Sequence, residues 1–325
     1  MTVFIIRRLL QSVAVVVIMS FLVFAGVYAL GNPVYFLVNP LATIEEIEQI
    51  SRAMGFDLPL WDQYFLFVKN AVTGEIAKSF VYNESALKVI LRHVPATLEL
   101  ASIALLIAFC MGMPLGLFAG LRPGTRLDRT IMAGSILGFS LPSFWVGLNL
   151  VMVFSIELGM LPTSGRGQTA SVLGLQLSFV TWDGLRHMIM PALNLALFPM
   201  ALIIRLTRGA VREQMRLDYV KFARAKGLTD RRILMVHVMK NILIPIVTVT
   251  ALQFGVLVAF AVVTETVFAW PGIGKLIVNS IQLVDRPVII AYLLITVFFF
   301  VVVNLVADIL YSILDPRVRL TEVGR

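Results

Sequence analysis

Residues Leu9 to Leu30 contain no charged side chain, and the run closes on Gly31-Asn32-Pro33. That length exceeds the roughly 18 apolar residues that suggest a helix crossing a membrane. A signal peptide would have a shorter apolar core of about 7–15 residues followed by a small-residue cleavage site. We therefore read a retained first span, preceded by a short head ending in Arg7-Arg8. Five further apolar stretches follow, at Ala96–Leu121, Thr130–Leu158, Met188–Ile204, Asn241–Ala269 and Pro287–Tyr311. The composition agrees: 59% of the 325 residues are hydrophobic and 14% are charged, where a soluble domain carries about 25% charged residues. The expected fold is an all-α membrane protein with six transmembrane helices.

Charge gives the expected orientation. The net charge is +8, which on a soluble chain would suggest nucleic acid. Here the cations cluster between spans, so topology explains them and nucleic acid is not expected as a partner. Two Lys or Arg lie in the head, three in the loop Arg122–Arg129, ten between Arg205 and Lys240, and three in the tail, together 18 of the 27. The positive-inside rule then places both termini in the cytoplasm. The single cysteine, Cys110, lies mid-run and is expected to pack inertly. No internal repeat supports an inverted-repeat secondary transporter.

The remaining segments divide the chain into residues 1–30 (head and first span), 31–94 (an external insertion), 95–311 (a five-helix core) and 312–325 (a tail). The insertion has seven acids against five bases, the opposite balance to the central loop. Thr43 with Glu46 predicts a capped helix stopped by Gly55. Trp61, Tyr64, Phe65 and Val68 predict an amphipathic helix over Leu60–Val72 that would dock on the membrane or a partner. In the second span Gly112, Gly116 and Gly120 recur every four residues, a stripe suited to close helix approach. Pro114 is expected to bend that helix. Gly134 and Gly138 repeat the spacing in the third span, which Pro142 interrupts. The fourth span reads as short and broken by Pro191 and Pro199. Residues 159–186 read as a second external loop, and Trp270-Pro271-Gly272-Ile273-Gly274 as a sharp external turn.

The basic segment, residues 205–240, is long for a connection between spans. Asp218 is expected to cap a short helix from Tyr219, and Gly227 to end it in a left-handed conformation. Tyr219, Phe222 and Ala223 fall at i, i+3 and i+4 and so share one face. Thr229 would cap a second helix, Asp230–Lys240, whose first-turn acid suits the helix dipole. The product is an apolar-aromatic plug between basic shoulders, fit for a groove in a soluble partner. The same residues would also suit a helix lying on anionic headgroups.

The run Asp218-Tyr219-Val220-Lys221-Phe222-Ala223-Arg224-Ala225-Lys226-Gly227-Leu228, with His237, Asn241 and Pro245, resembles the EAA loop of ABC-importer permeases of the dipeptide/oligopeptide/nickel family. The resemblance extends to Pro95-Ala96-Thr97-Leu98-Glu99-Leu100-Ala101, Leu141-Pro142-Ser143-Phe144-Trp145, Leu161-Pro162-Thr163-Ser164-Gly165, Glu265 through Gly274, and Asp315-Pro316-Arg317. The external insertion is typical of the B-type permease. The Glu-Ala-Ala that names the loop aligns with Lys221-Phe222-Ala223, so only Ala223 and Gly227 hold, as is common in this subfamily. The resemblance implies a type I permease fold in a bacterial inner membrane. It also implies that Asp218, Tyr219, Phe222, Ala223, Arg224, Ala225, Lys226 and Gly227 form a coupling helix docked on ATP-binding subunits. The implied partners are a second homologous permease subunit, two cytoplasmic ATP-binding subunits that hold ATP and Mg, an external solute-binding protein, and membrane lipid. The implied cargo is di- or oligopeptides, with nickel complexes, glutathione or another small solute as alternatives. An ion-gradient-driven secondary transporter is the alternative of a different class.

No chemistry of the chain's own is expected. Gly272-Ile273-Gly274-Lys275-Leu276 lacks the earlier glycine and the Ser/Thr of a phosphate-binding loop, so ATP hydrolysis belongs to another chain. His93, His187 and His237 lack metal-ligand spacing and read as structural, with His237 orienting the second cytoplasmic helix. Glu157, Arg205 and Asp308 lie near span ends. Glu99 and Glu265 would either line an external mouth or make structural hydrogen bonds.

Overall fold

The computed structural model describes residues 2–29, 42–53, 58–74 and 78–314. The Gly31-Asn32-Pro33 break, the Gly55 stop and the tail from Asp315 lie outside the described residues, as does the Asp308 side chain. Eleven helices can be labelled among the described residues. They are α1 (Thr2–Ala29), α2 (Ile44–Ala53), α3 (Leu60–Thr73), α4 (Ala86–Leu121), α5 (Arg126–Ser140), α6 (Ser143–Glu157), α7 (Trp182–Gln214), α8 (Asp218–Ala225), α9 (Asp230–Val267), α10 (Ile273–Gln282) and α11 (Arg286–Leu314). Helices α1, α4, α7, α9 and α11 are each long and apolar enough to cross a membrane, and the number rises to six when the bent pair α5–α6 is counted as one span. Contacts group the chain into two units, residues 1–96 with 271–305 and residues 97–270 with 306–325.

In the first unit α3 packs on α1 through its aromatic face. Tyr64 is buried against Phe21 and Phe24, with ring centroids 5.6 and 5.5 Å away. Its hydroxyl lies 2.8 Å from Ser20 Oγ. Half of the amphipathic face is therefore spent on the chain's own first helix, while Trp61 and Phe65 stay exposed. The Thr43–Glu46 capping box is present, with the Thr43 N–H 2.9 Å from Glu46 Oε2 and the Glu46 N–H 3.3 Å from Thr43 Oγ1. Asp285 is wholly buried and accepts hydrogen bonds from the Ser79 hydroxyl and, at 3.2 Å, from the Phe80 N–H. The expected turn at Pro271-Gly272 leads directly into α10, whose Ile273, Leu276 and Ile277 are buried.

In the second unit α7 packs against α5 and α9, and α6 lies on both α7 and α9. Several boundaries differ from the sequence expectation. The second span begins at Ala86, not Ala96, because Lys88, Arg92 and His93 dilute the hydropathy of a helical turn whose Val89 and Ile90 are buried. It runs through Pro95 and Pro114 unbroken. The fourth span is not short or broken: α7 has 33 residues and carries Pro191 and Pro199 in its interior, both buried. Helices packed in a membrane tolerate proline because neighbours meet the freed backbone groups. The third span is two helices bent by 106°. Leu141 and Pro142 between them are both extended, the conformation that a residue before proline favours. The loop 159–186 holds a two-stranded hairpin, β1 (Ala170–Val172) and β2 (Leu175–Leu177). Leu173 and Gly174 turn it with φ of 51° and 82°, as a two-residue hairpin turn requires.

The glycine stripe is realised. A Cβ on Gly112 would stand 3.1 Å from Ile203 Cγ2, one on Gly116 2.6 Å from Thr207 Cβ, and one on Gly120 2.8 Å from Val211 Cβ. Helix α4 thus lies on α7 with almost no intervening side chain. The same spacing at Gly134 and Gly138 makes no such contact: Gly134 faces open space, and the nearest atom to a Gly138 Cβ is Leu197 O at 3.8 Å.

Candidate functional site

The basic segment is shorter than its charge pattern suggests. Arg205 through Gln214 belong to α7, and Asp230 through Lys240 to α9, so only residues 215–229 lie between the two spans. Helix α8 sits in that interval. Asp218 does not cap it. The N-cap is Leu217, in extended conformation and without a side-chain bond, and Asp218 lies in the first turn. There Lys221 Nζ donates to Asp218 Oδ1 at 2.8 Å, which holds the carboxyl below its ordinary value. Gly227 ends the helix at φ 77°, and the Leu228 N–H reaches back to Ala223 O at 3.2 Å. This is the expected left-handed stop.

The faces of α8 divide differently from the expectation. Val220 and Ala223 are buried, and the helix packs on the neighbouring stretch Ile233–Val238. Ala223 therefore belongs to the inner face. Phe222 is the exposed aromatic, 62% accessible, with Lys226 Nζ 4.5 Å above its ring. Ala225 is exposed beside it. Tyr219 is half-buried, and its hydroxyl donates to Gln214 Oε1 at 2.8 Å. Asn241 Nδ2 donates to the same oxygen at 3.3 Å. Gln214, which the sequence reading passed over, thus joins the end of α7, the short helix and Asn241 of α9. Arg224 pairs with Asp230 across the Gly227 turn at 2.9 Å.

Ile233–Val238, within α9, is π-helical. The wider turn occurs where α8 packs, and such π segments are often found at functional sites. His237 is exposed there and so does not orient the helix through a packed contact. A second tie was also missed by sequence reasoning. Arg208 on α7 grips Asp128 on α5 through Nε–Oδ1 at 2.6 Å and Nη2–Oδ2 at 3.0 Å. The Gly124 N–H adds a bond to Oδ2 at 2.9 Å. The available signal was Asp128 three residues after the N-cap Thr125, as in a capping box.

Glu99 and Glu265 are buried and do not line an open mouth. The Glu99 carboxylate accepts from Arg166 Nε at 3.1 Å, from the Ser178 N–H and hydroxyl at 2.6 and 2.9 Å, and from the Phe179 N–H at 3.0 Å. Arg166 also donates to Gln176 O at 2.6 Å and lies over the Trp270 ring. One carboxylate therefore anchors both the hairpin and the start of α7 to α4. Glu265 accepts from the Thr97 hydroxyl at 2.6 Å. Gly184 is fixed by closeness: a Cβ there would fall 2.1 Å from Ser178 O. Glu157 is exposed. Arg205 is half-buried, with its guanidinium 4.6 Å from the Phe139 ring centroid. His93 and His187 each bond through Nδ1 to the carbonyl four residues earlier, both at 2.8 Å. Among the described residues no group of three or more His, Cys, Asp or Glu is placed to hold a metal ion.

Known proteins share this architecture and sequence. Residues 112–320 match the family model "Binding-protein-dependent transport system inner membrane component", and residues 1–101 match the N-terminal model of such membrane components. The chain is 39% identical over 302 residues to the di/tripeptide transport system permease protein DppB of Pseudomonas aeruginosa strain UCBPP-PA14, covering 89% of this chain and 90% of that one. It is 35% identical over 323 residues to the oligopeptide transport system permease protein AppB of Bacillus subtilis strain 168, covering 98% and 100%. A chain of the inward-facing MetNI methionine ABC transporter superposes with a TM-score of 0.53 at 17% identity, over 70% of this chain and 96% of that one, which shows a shared fold. The protein belongs to the family of binding-protein-dependent transport system inner membrane components, the permease subunits of ABC importers.

Proposed function

We propose that this chain is the permease subunit of an ATP-driven importer for di- and oligopeptides, and that α8 is the contact through which ATP-binding subunits move it. The observation that carries this reading is Phe222. It stands 62% exposed on a helix of only 8 residues whose Val220 and Ala223 are buried against the chain's own fold. Binding hot spots are a few side chains that fill well-packed, desolvated pockets in a partner, and an outward Phe side chain can be buried in that way. The frame is rigid because Gln214, Val220, Ala223 and Gly227 fix it to α7 and α9. Motion of α8 is thus passed to two membrane-crossing helices, which is what coupling between two sites requires. The peptide cargo rests on what the relatives' names state.

In this reading residues 1–30 form the head and first span, 31–94 an external insertion, 95–311 the permease core and 312–325 a cytoplasmic tail. Both termini lie in the cytoplasm of a bacterium. A second homologous permease completes the path, two cytoplasmic subunits bind ATP and Mg, and an external binding protein delivers the peptide. This chain hydrolyses nothing and binds no cofactor.

The test is peptide uptake by proteoliposomes carrying the assembled complex. Phe222→Asp should abolish ATP-dependent uptake and release the ATP-binding subunits on purification, with the permease still folded. Uptake that persists in Phe222→Asp removes the coupling role. Uptake by the purified chain alone, driven by an ion gradient without ATP, would instead establish a secondary transporter.

A further inference from the structure

We propose that the cavity at the bend between α5 and α6 is a station on the solute path, and that the Asn194 side-chain amide is the point at which it holds a peptide group. This rests on the importer reading above and specifies where, within this subunit, the cargo is recognised. The cavity has a volume of about 280 Å³ and draws its walls from α5, α6, α7 and α9. Its lining is largely apolar, with Phe139 and Phe198 stacked at 4.9 Å and Phe260 exposed. Two buried polar residues interrupt that lining, Asn194 on α7 and Thr264 on α9.

Asn194 is 3% exposed, and Nδ2 donates to Thr264 Oγ1 at 3.0 Å. Its Oδ1 is buried and has no hydrogen-bond partner among the described residues. A buried polar atom left in this state opposes folding unless something else pairs with it. Either orientation of the amide leaves one of its ends open. If it is flipped, the Thr264 hydroxyl donates to the oxygen and the NH₂ end is left open instead. A peptide group carries both an N–H and a C=O, so it satisfies either orientation. A lipid acyl chain would cover the aromatic walls but leave the amide unpaired.

The cavity is also connected to the short helix by one element. Phe260 and Thr264 lie near one end of α9, and the π-helical stretch on which α8 packs lies near the other. Some 26 residues of helix separate Val238 from Thr264, about 39 Å at 1.5 Å per residue. A displacement of α9 driven at α8 would move Thr264 relative to Asn194 and open or close this site. The device needs only that the peptide bind the two arrangements unequally.

Two measurements on the full complex test this. The first is ATP-dependent uptake of radiolabelled alanyl-alanine. Asn194→Leu keeps the volume, removes the amide and should lower uptake about tenfold. Asn194→Gln keeps the amide and should stay within about threefold of the parent. The second uses Ser143→Cys in a Cys110→Ser background, labelled with a maleimide. Alanyl-alanine with its binding protein and ATP should slow labelling several-fold. Uptake unchanged in Asn194→Leu, or labelling at Ser143→Cys that alanyl-alanine does not slow, overturns the inference while leaving the importer reading in place. No uptake by the parent complex overturns the peptide reading and this inference together.

Discussion

The Glu99 cluster and the α8 helix look alike in the sequence and differ in the structure. Both place charge beside apolar runs, and both suggest a site. In the structure the Glu99 carboxylate is fully engaged: two N–H groups, a hydroxyl and a guanidinium surround it, and its outermost partner Arg166 is itself engaged with Gln176 and Trp270. Helix α8 uses its inner face in the same way, yet leaves Phe222 outward. A group whose bonding capacity is filled from within the chain positions structure. A group left open on a fixed frame is available to something else. By the same criterion Asn194, half-paired beside a cavity, falls with Phe222 and not with Glu99.

The largest expected effect tests the filled side. Glu99→Ala strands Arg166 and removes the anchor of the hairpin, so it should destabilise the complex by about 3–5 kcal/mol, as loss of one partner of a buried pair does. Thermal denaturation in detergent should show the loss, and an unchanged transition would return Glu99 to the list of available groups. Next comes the glycine stripe. Gly116→Ala forces a Cβ to within 2.6 Å of Thr207 and should cost about 1–3 kcal/mol through overpacking, read by the same melt. A smaller effect is expected at the hub. Gln214→Leu removes the acceptor for Tyr219 and Asn241 and should cost about 1 kcal/mol, with uptake falling more than stability if α8 transmits motion. The smallest concerns pH. Lys221 holds the Asp218 carboxyl below its ordinary value, so the contribution of this pair is present above the unfolded value of about 3.9 and is lost only as pH falls through the lower folded value. Asp218→Asn should therefore leave the uptake profile between about pH 5.5 and 8 unaltered. A change in that window would show that Asp218 meets a partner whose charge matters.

Much of the fold was legible because length and hydropathy act locally. The membrane-crossing helices each depend on one continuous apolar run, and the capping box at Thr43 and the Gly227 stop on residues within one or two helical turns. The glycine stripe was legible for the same reason, although the sequence could not say that α7 receives Gly112, Gly116 and Gly120 while Gly134 meets nothing. What could not be read depends on distant partners. Asp128 and Arg208 are 80 positions apart, as are Glu99 and Phe179. Helical periodicity placed Ala223 with Phe222, but the packing partner at Ile233–Val238 decides which of the two faces out. Proline was misread in α7 because the rule that it breaks helices belongs to water-exposed helices. The correction at Ala223 also alters how the loop should be probed. An acidic residue there would disrupt the packing under α8 and imitate a coupling defect, whereas Phe222 can be changed without entering the core.

In the proposed mechanism Phe222 enters a groove in an ATP-binding subunit instead of lying on lipid headgroups. A single cysteine at that position, Phe222→Cys with Cys110→Ser, can be joined to a photoactivatable crosslinker in membranes containing the whole complex. The expected result is a crosslinked product between the permease and an ATP-binding subunit, with a yield that changes when ATP is added. Crosslinking to lipid alone, with no product containing an ATP-binding subunit under either condition, would contradict it.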